Sequence, residues 1–148
     1  MNFPLYRGKV EGTDEYIIGF LEFIENDGRS VDTVNSGAWI SNTTTNSDGF
    51  KTRIEKKVDP DTIAIGFPWM RDSNGEQLFA SLSDNNDGLG GDILFNESEL
   101  ESYVLEFTES GIVLFEYLDN GKIRNFVKNF TSSFFYAHDN IHHHGIKN

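Results

Sequence analysis

The sequence predicts an all-β protein: a compact, barrel-like domain of about seven to nine strands with at most one or two short helices. Three observations carry that expectation. Short apolar runs are separated by turn-forming tetrapeptides such as "EGTD", "ENDG", "TESG" and "DNGK". Phe supplies 13 residues and Gly 14, against only 3 Pro, so bulky core formers are matched by residues that permit sharp reversals. At 148 residues the chain is long enough to bury a real core as one domain, 1–148, with a subdomain division near 95 as the alternative partition.

The elements follow in order. "LYRGKV" and "EYIIGFLEFIE" read as strands Leu5–Val10 and Glu15–Glu25, reversed by "EGTD". Both faces of the second strand are apolar, which suits burial on two sides. A short strand is expected around Ala38–Ser41, and the polar run "NTTTNSDGF" after it reads as an exposed loop. "FKTRIEKKV" restores alternation, with Phe50, Thr52 and Ile54 opposite Lys51, Arg53 and Glu55, so its charges describe a solvated face. Further on, "ESYVLEF" and "GIVLFEYL" form the strongest hairpin signal, and "IRNFVKNF" is a later strand. "NESELESYV" carries a competing helix signal, with Asn96 or Ser98 as its cap.

Between these lies "VDPDTIAIGFPWMRDSNGEQLF", two turns flanking short strands. Pro60 biases Asp59 away from helical geometry, and Asp59, Asp61 and Thr62 are placed to bond backbone amides exposed by the turn. Asp72 and Asn74-Gly75 do the same at the second bend. Acids two apart beside a proline are a turn signature, and no nucleophile or base accompanies them. Trp69 and Phe67 read as core or lip residues, with ligand stacking as the alternative. Trp69, with the aromatic tail Phe134, Phe135 and Tyr136, supplies the candidate interaction residues.

Charge narrows the partners. The balance is 24 acidic against 12 basic residues, net -12, which disfavours bulk attraction to nucleic acid or anionic membrane and favours a basic protein partner or cations, while the aromatic tail supplies the homo-oligomer alternative. The chain has no cysteine, so disulfide and thiolate chemistry are excluded. There is no apolar run of spanning length and no secretion-signal pattern at the start, so the expected compartment is the cytoplasm. "SDNNDGLGGD" resembles a calcium loop, but Ser83 and Leu94 fall where Asp and Glu are needed. His138, His142, His143 and His144 sit in a polar tail. Neither defines a metal site, and no phosphate-binding or catalytic motif implies a cofactor. "KIRNFVKNF" interleaves Lys122, Arg124 and Lys128 with Phe126 and Phe130 and is the one local nucleic-acid hint.

"YRGK" at Tyr6–Lys9, "EYIIGFL" at Glu15–Leu21, "VDPDTI", "RDSNGEQLF" and the pair Gly91-Asp92 together resemble the YopX-like family of small bacteriophage proteins. The resemblance spans roughly the first 95 residues. It rests on Arg7, Gly8, Lys9, Gly19, Asp59, Pro60, Thr62, Asp72, Asn74, Gly75, Gly91 and Asp92, in that order. It implies a YopX-like barrel with additional C-terminal strands, in a phage or prophage protein working in the bacterial host cell, and it implies no catalytic role. The expectation is therefore a non-enzymatic accessory protein acting through protein–protein contact. The alternatives are a nucleic-acid-associated regulator or DNA mimic, and a metal-dependent enzyme built from Asp84, Asp87, Asp92 or the histidines.

Overall fold

Alternating aromatic, β-branched and polar residues form extended strands because such side chains pack well on a pleated, part-buried surface. The computed structural model describes residues 3–24, 37–82, 90–96, 101–109, 111–116, 126–129 and 136–138. Within them the chain is all β, with no α-helix and one 3-10 turn, Pro60–Thr62. The strands are β1 Leu5–Lys9, β2 Tyr16–Ile24, β3 Gly37–Thr45, β4 Lys51–Val58, β5 Ala64–Gly66, β6 Ala80–Ser81, β7 Ile93–Asn96, β8 Glu101–Thr108, β9 Gly111–Glu116, β10 Phe126–Asn129 and β11 Tyr136–His138. Their number, 11, exceeds the expected range because several are too short to show a period in sequence. No helix among the described residues is long and apolar enough to cross a membrane.

The strands form one mixed sheet in the order β10-β9-β8-β6-β5-β1-β2-β3-β4, with β7 joined to β8 and β11 to β7. Every pairing is antiparallel except β6 with β8, where Ser81 lies opposite Glu106 in parallel. The expected barrel does not close among the described residues, because the path ends openly at β4 and β10. One corner does turn back. Val10 bridges Val58, Asp59 N donates to Lys9 O at 2.9 Å, and Glu11 N donates to Lys57 O at 3.0 Å. The foot of β4 is thereby stitched to β1, while the exposed, charged remainder of the strand keeps its outer edge in water.

The loop expected over "NTTTNSDGF" is corrected. Asn42–Thr45 continue β3, with Thr43 opposite Arg53 and Thr45 opposite Lys51, and only the tip turns. Thr is β-branched, so a polar threonine run suits an exposed strand as well as a loop. At the tip, Asn46 Oδ1 accepts from Asp48 N at 3.0 Å and Phe50 N at 2.9 Å, which fixes the reversal. The helix alternative at "NESELESYV" falls partly outside the described residues, and Glu101 onward is strand.

Two core clusters fill the fold. One gathers Ile65, Met70, Leu78, Ala80, Leu94, Tyr103, Leu105, Ile112 and Leu114, so side chains from both sides of position 95 share it. The other gathers Ile17, Ala38, Ile40, Val58 and Ile63. Tyr6 and Leu82 pack against both. Each fully buried Leu or Ile contributes about 1.5–3 kcal/mol of burial.

Gly19 marks where β2 changes partner. Tyr16–Gly19 pair with β1, and Phe20–Ile24 pair with β3. A Cβ at Gly19 would lie 1.9 Å from the Ser41 carbonyl oxygen, so only glycine admits the crossing backbone. Gly19→Ala is expected to cost at least about 1–3 kcal/mol through overpacking. It should lower the urea midpoint with little change in slope, and an unchanged midpoint would refute the close approach.

Candidate functional site

Arg7 and Asp92 of the ordered motif meet in one buried knot, and the other motif residues shape the strands and turns around it. Arg7 and Gly8 sit in the middle of β1, which pairs with β2 on one edge and β5 on the other. The Arg7 side chain points inward and the residue is only 6% exposed. Its Nη2 donates to Gly90 O at 2.8 Å and stands 2.7 Å from Asp92 Oδ1, a coulombic contact rather than an aligned hydrogen bond. The guanidinium also lies 4.6 Å from the Phe79 ring centroid and 5.7 Å from that of Tyr16. A planar, weakly hydrated cation is suited to this mixture of carboxylate, carbonyl and ring faces.

Asp92 is fully buried and ties three segments together. Its Oδ2 accepts from Phe79 N at 2.9 Å, its N–H donates to Phe79 O at 2.8 Å, and its carbonyl accepts from Leu105 N at 3.1 Å. It occupies the point where the edge of β8 passes from β7 to β6. Gly91, beside it, is also buried. The calcium-loop reading of "SDNNDGLGGD" therefore loses Asp92 at its end; residues 83–89 lie outside the described set.

The first turn locks against the same knot. Thr62 Oγ1 donates to Asp59 O at 2.7 Å and accepts from Lys9 N at 2.9 Å, joining the turn to the end of β1. Asp59 Oδ1 accepts from Asp61 N at 3.0 Å, and Pro60 opens the 3-10 turn. The Asp59 carboxylate thus serves the backbone, and Asp61 supplies the amide it holds. Gly90 has φ +89, and a Cβ there would lie 2.2 Å from Thr62 O, so glycine is required twice over.

The second turn builds a surface. Asp72 Oδ1 accepts from Asn74 N at 2.8 Å and Glu76 N at 2.9 Å, and Gly75 N donates to Asp72 O at 3.0 Å. Gln77 Nε2 donates to Phe67 O at 2.8 Å, Leu78 O at 2.9 Å and Met70 O at 3.2 Å. This bracket holds residues 67–70 in place over the core. On its outside, Phe67 stacks on Trp69 with centroids 6.3 Å apart and on Phe107 at 6.1 Å. Trp69 is 49% exposed and Phe107 37% exposed, so the outer two rings of the ladder meet solvent while the half-buried Phe67 also packs on the core.

Trp69 is thus exposed rather than core, which fits the lip half of the core-or-lip reading. Phe107 and Gln77 carry no signal that marks them, since their roles depend on neighbours distant in sequence. Phe134 and Phe135 lie outside the described residues, and Tyr136 enters as a strand residue paired with Asn96. His138 ends β11, while His142, His143 and His144 lie outside the described residues. No group of three or more His, Asp or Glu among the described residues is placed to hold a metal ion. A cleft of about 270 Å³ beside the first turn is lined by Lys9, Val10, Glu11, Gly12, Asp59 and Pro60, and pairs no nucleophile with a base. No protein-family model, curated protein or solved structure matches this chain.

Two outcomes follow from the knot. Arg7→Met or Asp92→Leu alone should cost about 3–5 kcal/mol by leaving the partner charge buried, and the double variant should cost less than the sum. Additive losses in denaturant unfolding would contradict the coupling. Tyr16 is partly buried, and that burial raises its phenol above the ordinary 10.0, with the Arg7 charge pulling the other way. An unfolded chain would lose that proton first, so Tyr16's contribution is constant below about pH 10 and falls as pH rises beyond it. Tyr16→Phe should flatten the alkaline decline of the melting temperature.

Proposed function

We propose that this chain is a non-enzymatic binding module, a YopX-like phage or prophage accessory protein of the bacterial cytoplasm that engages a protein partner. The observation that carries the reading is the ladder Trp69–Phe67–Phe107, in which Trp69 on its hydrogen-bonded turn and Phe107 on β8 meet solvent on either side of the half-buried Phe67. Aromatic side chains give large contact area for little conformational entropy, and a frame that is already rigid lowers the cost of ordering on binding. The motif residues found so far hold backbone rather than converge on a reacting centre, which supports binding over catalysis. The net charge of -12 favours a partner whose contact surface carries Lys and Arg around an apolar centre.

Trp69→Ala should weaken capture of the specific partner from infected or native host cells, by about 2 kcal/mol or more if the ring is a central anchor. Titration calorimetry with the purified partner measures the loss. Mass measurement of the isolated protein across concentration separates a homo-oligomer from a foreign partner. Equal capture by Trp69→Ala and Phe107→Ala variants would sink the reading.

A further inference from the structure

The hairpin of β3 and β4 carries a second surface, independent of the aromatic ladder. β4 contains Lys51, Arg53, Lys56 and Lys57, four of the chain's 12 basic residues on one eight-residue strand. Lys51 to Lys56 are all exposed, so both faces of this part of the strand meet solvent. In an antiparallel sheet, residues directly opposite one another project to the same side. Phe20 lies opposite Ser41 and Ser41 opposite Glu55; Thr43 lies opposite Arg53 and Thr45 opposite Lys51. One face therefore presents Phe20, Ser41 and Glu55 in one row, with Thr43, Arg53, Thr45 and Lys51 beyond them toward the hairpin tip.

Glu55 apart, the groups on that face suit a nucleotide. Phe20 is 56% exposed and offers a ring on which a base stacks. Lys51 and Arg53 supply charge for phosphates, and threonine hydroxyls are ordinary donors to phosphate and sugar oxygens. Arg53 touches Glu55 only at 4.0 Å with both groups exposed, a contact that a phosphate readily displaces. Two strand spacings, roughly 10 Å across the sheet, separate Phe20 from Glu55, and Arg53 and Lys51 lie further along β4 toward the hairpin tip.

Glu55 and the hairpin-tip Asp48 oppose this locally, and the rest of the net charge of -12 acts from further away. At physiological ionic strength, screening sets in over about 8 Å, so a phosphate seated on Lys51 and Arg53 responds mainly to the local face. A flat sheet with a stacking ring requires unpaired bases, which separates single strands from duplex.

We propose that this face of β2, β3 and β4 binds single-stranded nucleic acid, with phosphates at Lys51 and Arg53 and a base on Phe20. The test is fluorescence anisotropy of the full chain with a labelled oligothymidylate of about 16 nucleotides. It is run between about 50 and 200 mM salt. A duplex of equal length and an oligoglutamate competitor are the comparison arms. The expected result is tighter binding to the single strand than to the duplex, with little competition from oligoglutamate. Phe20→Ala should weaken it by at least about fivefold. Lys51→Gln with Arg53→Gln should flatten the logarithmic salt slope by about 1.4. Trp69→Ala should leave it unchanged, which keeps the outcome distinct from that of the protein-binding reading. All these side chains are exposed, and matching thermal melts establish that the variants fold. The proposal is overturned by absent binding at low salt, or by variants that bind like the parent. Equal or better duplex binding, equal competition by oligoglutamate, or a face occupied by a second copy of the chain in sedimentation would also overturn it.

Discussion

The fold depends on a buried cation and a buried carboxylate that meet across the sheet. Arg7 comes from β1 and Asp92 from the approach to β7, 85 positions later, and their contact is closed from water on all sides. Removing two charges from water costs several kcal/mol each, so such a pair is retained only where geometry recovers the loss. Here Asp92 recovers it by acting as a piece of backbone, bonding Phe79 N while its own peptide bonds Phe79 and Leu105. Arg7 recovers it through the Gly90 carbonyl and two ring faces. The pair also places the chain, because it fixes where β1 lies relative to the joint between β6 and β7.

Around this knot, the polar residues of the turns are spent on the backbone. Thr62 joins β1 to the first bend, Asp59 and Asp72 gather amides, and Gln77 gathers three carbonyls. That arrangement leaves the aromatic ladder outside, where it rests on a frame with little freedom to rearrange. An exposed stack of this kind is held by a support that is polar and densely bonded. Its apolar faces remain available because the core beneath is already filled by Met70, Leu78 and their neighbours.

Among the described residues the sheet ends openly at β4 and β10. β4 carries its charges on both faces and is stitched toward β1 only at its foot, Lys57 and Val58, so its remainder stands in water. Lysine-rich edges resist pairing with other strands, and the same side chains create a local basic surface on an acidic protein. Charge that protects an edge is therefore also charge that a ligand can use.

Much of the fold was legible in residue order. The hairpins of β1 with β2 and of β8 with β9, the two bends at Pro60 and Asn74-Gly75, and the all-β class follow from local alternation and turn chemistry, which act over a few residues. The threonine run was misread because exposed strand and loop share a polar composition, and only pairing with β4 separates them. What tertiary structure alone decided is which distant residues meet: Arg7 with Asp92, Gly90 with Thr62, Gly19 with Ser41, and Phe107 with Phe67. The sequence by itself determined that Trp69 and the motif residues were set among turns and strands. Whether the ring faced core or solvent depended on strand order and register, which are set by long-range packing that no local period encodes.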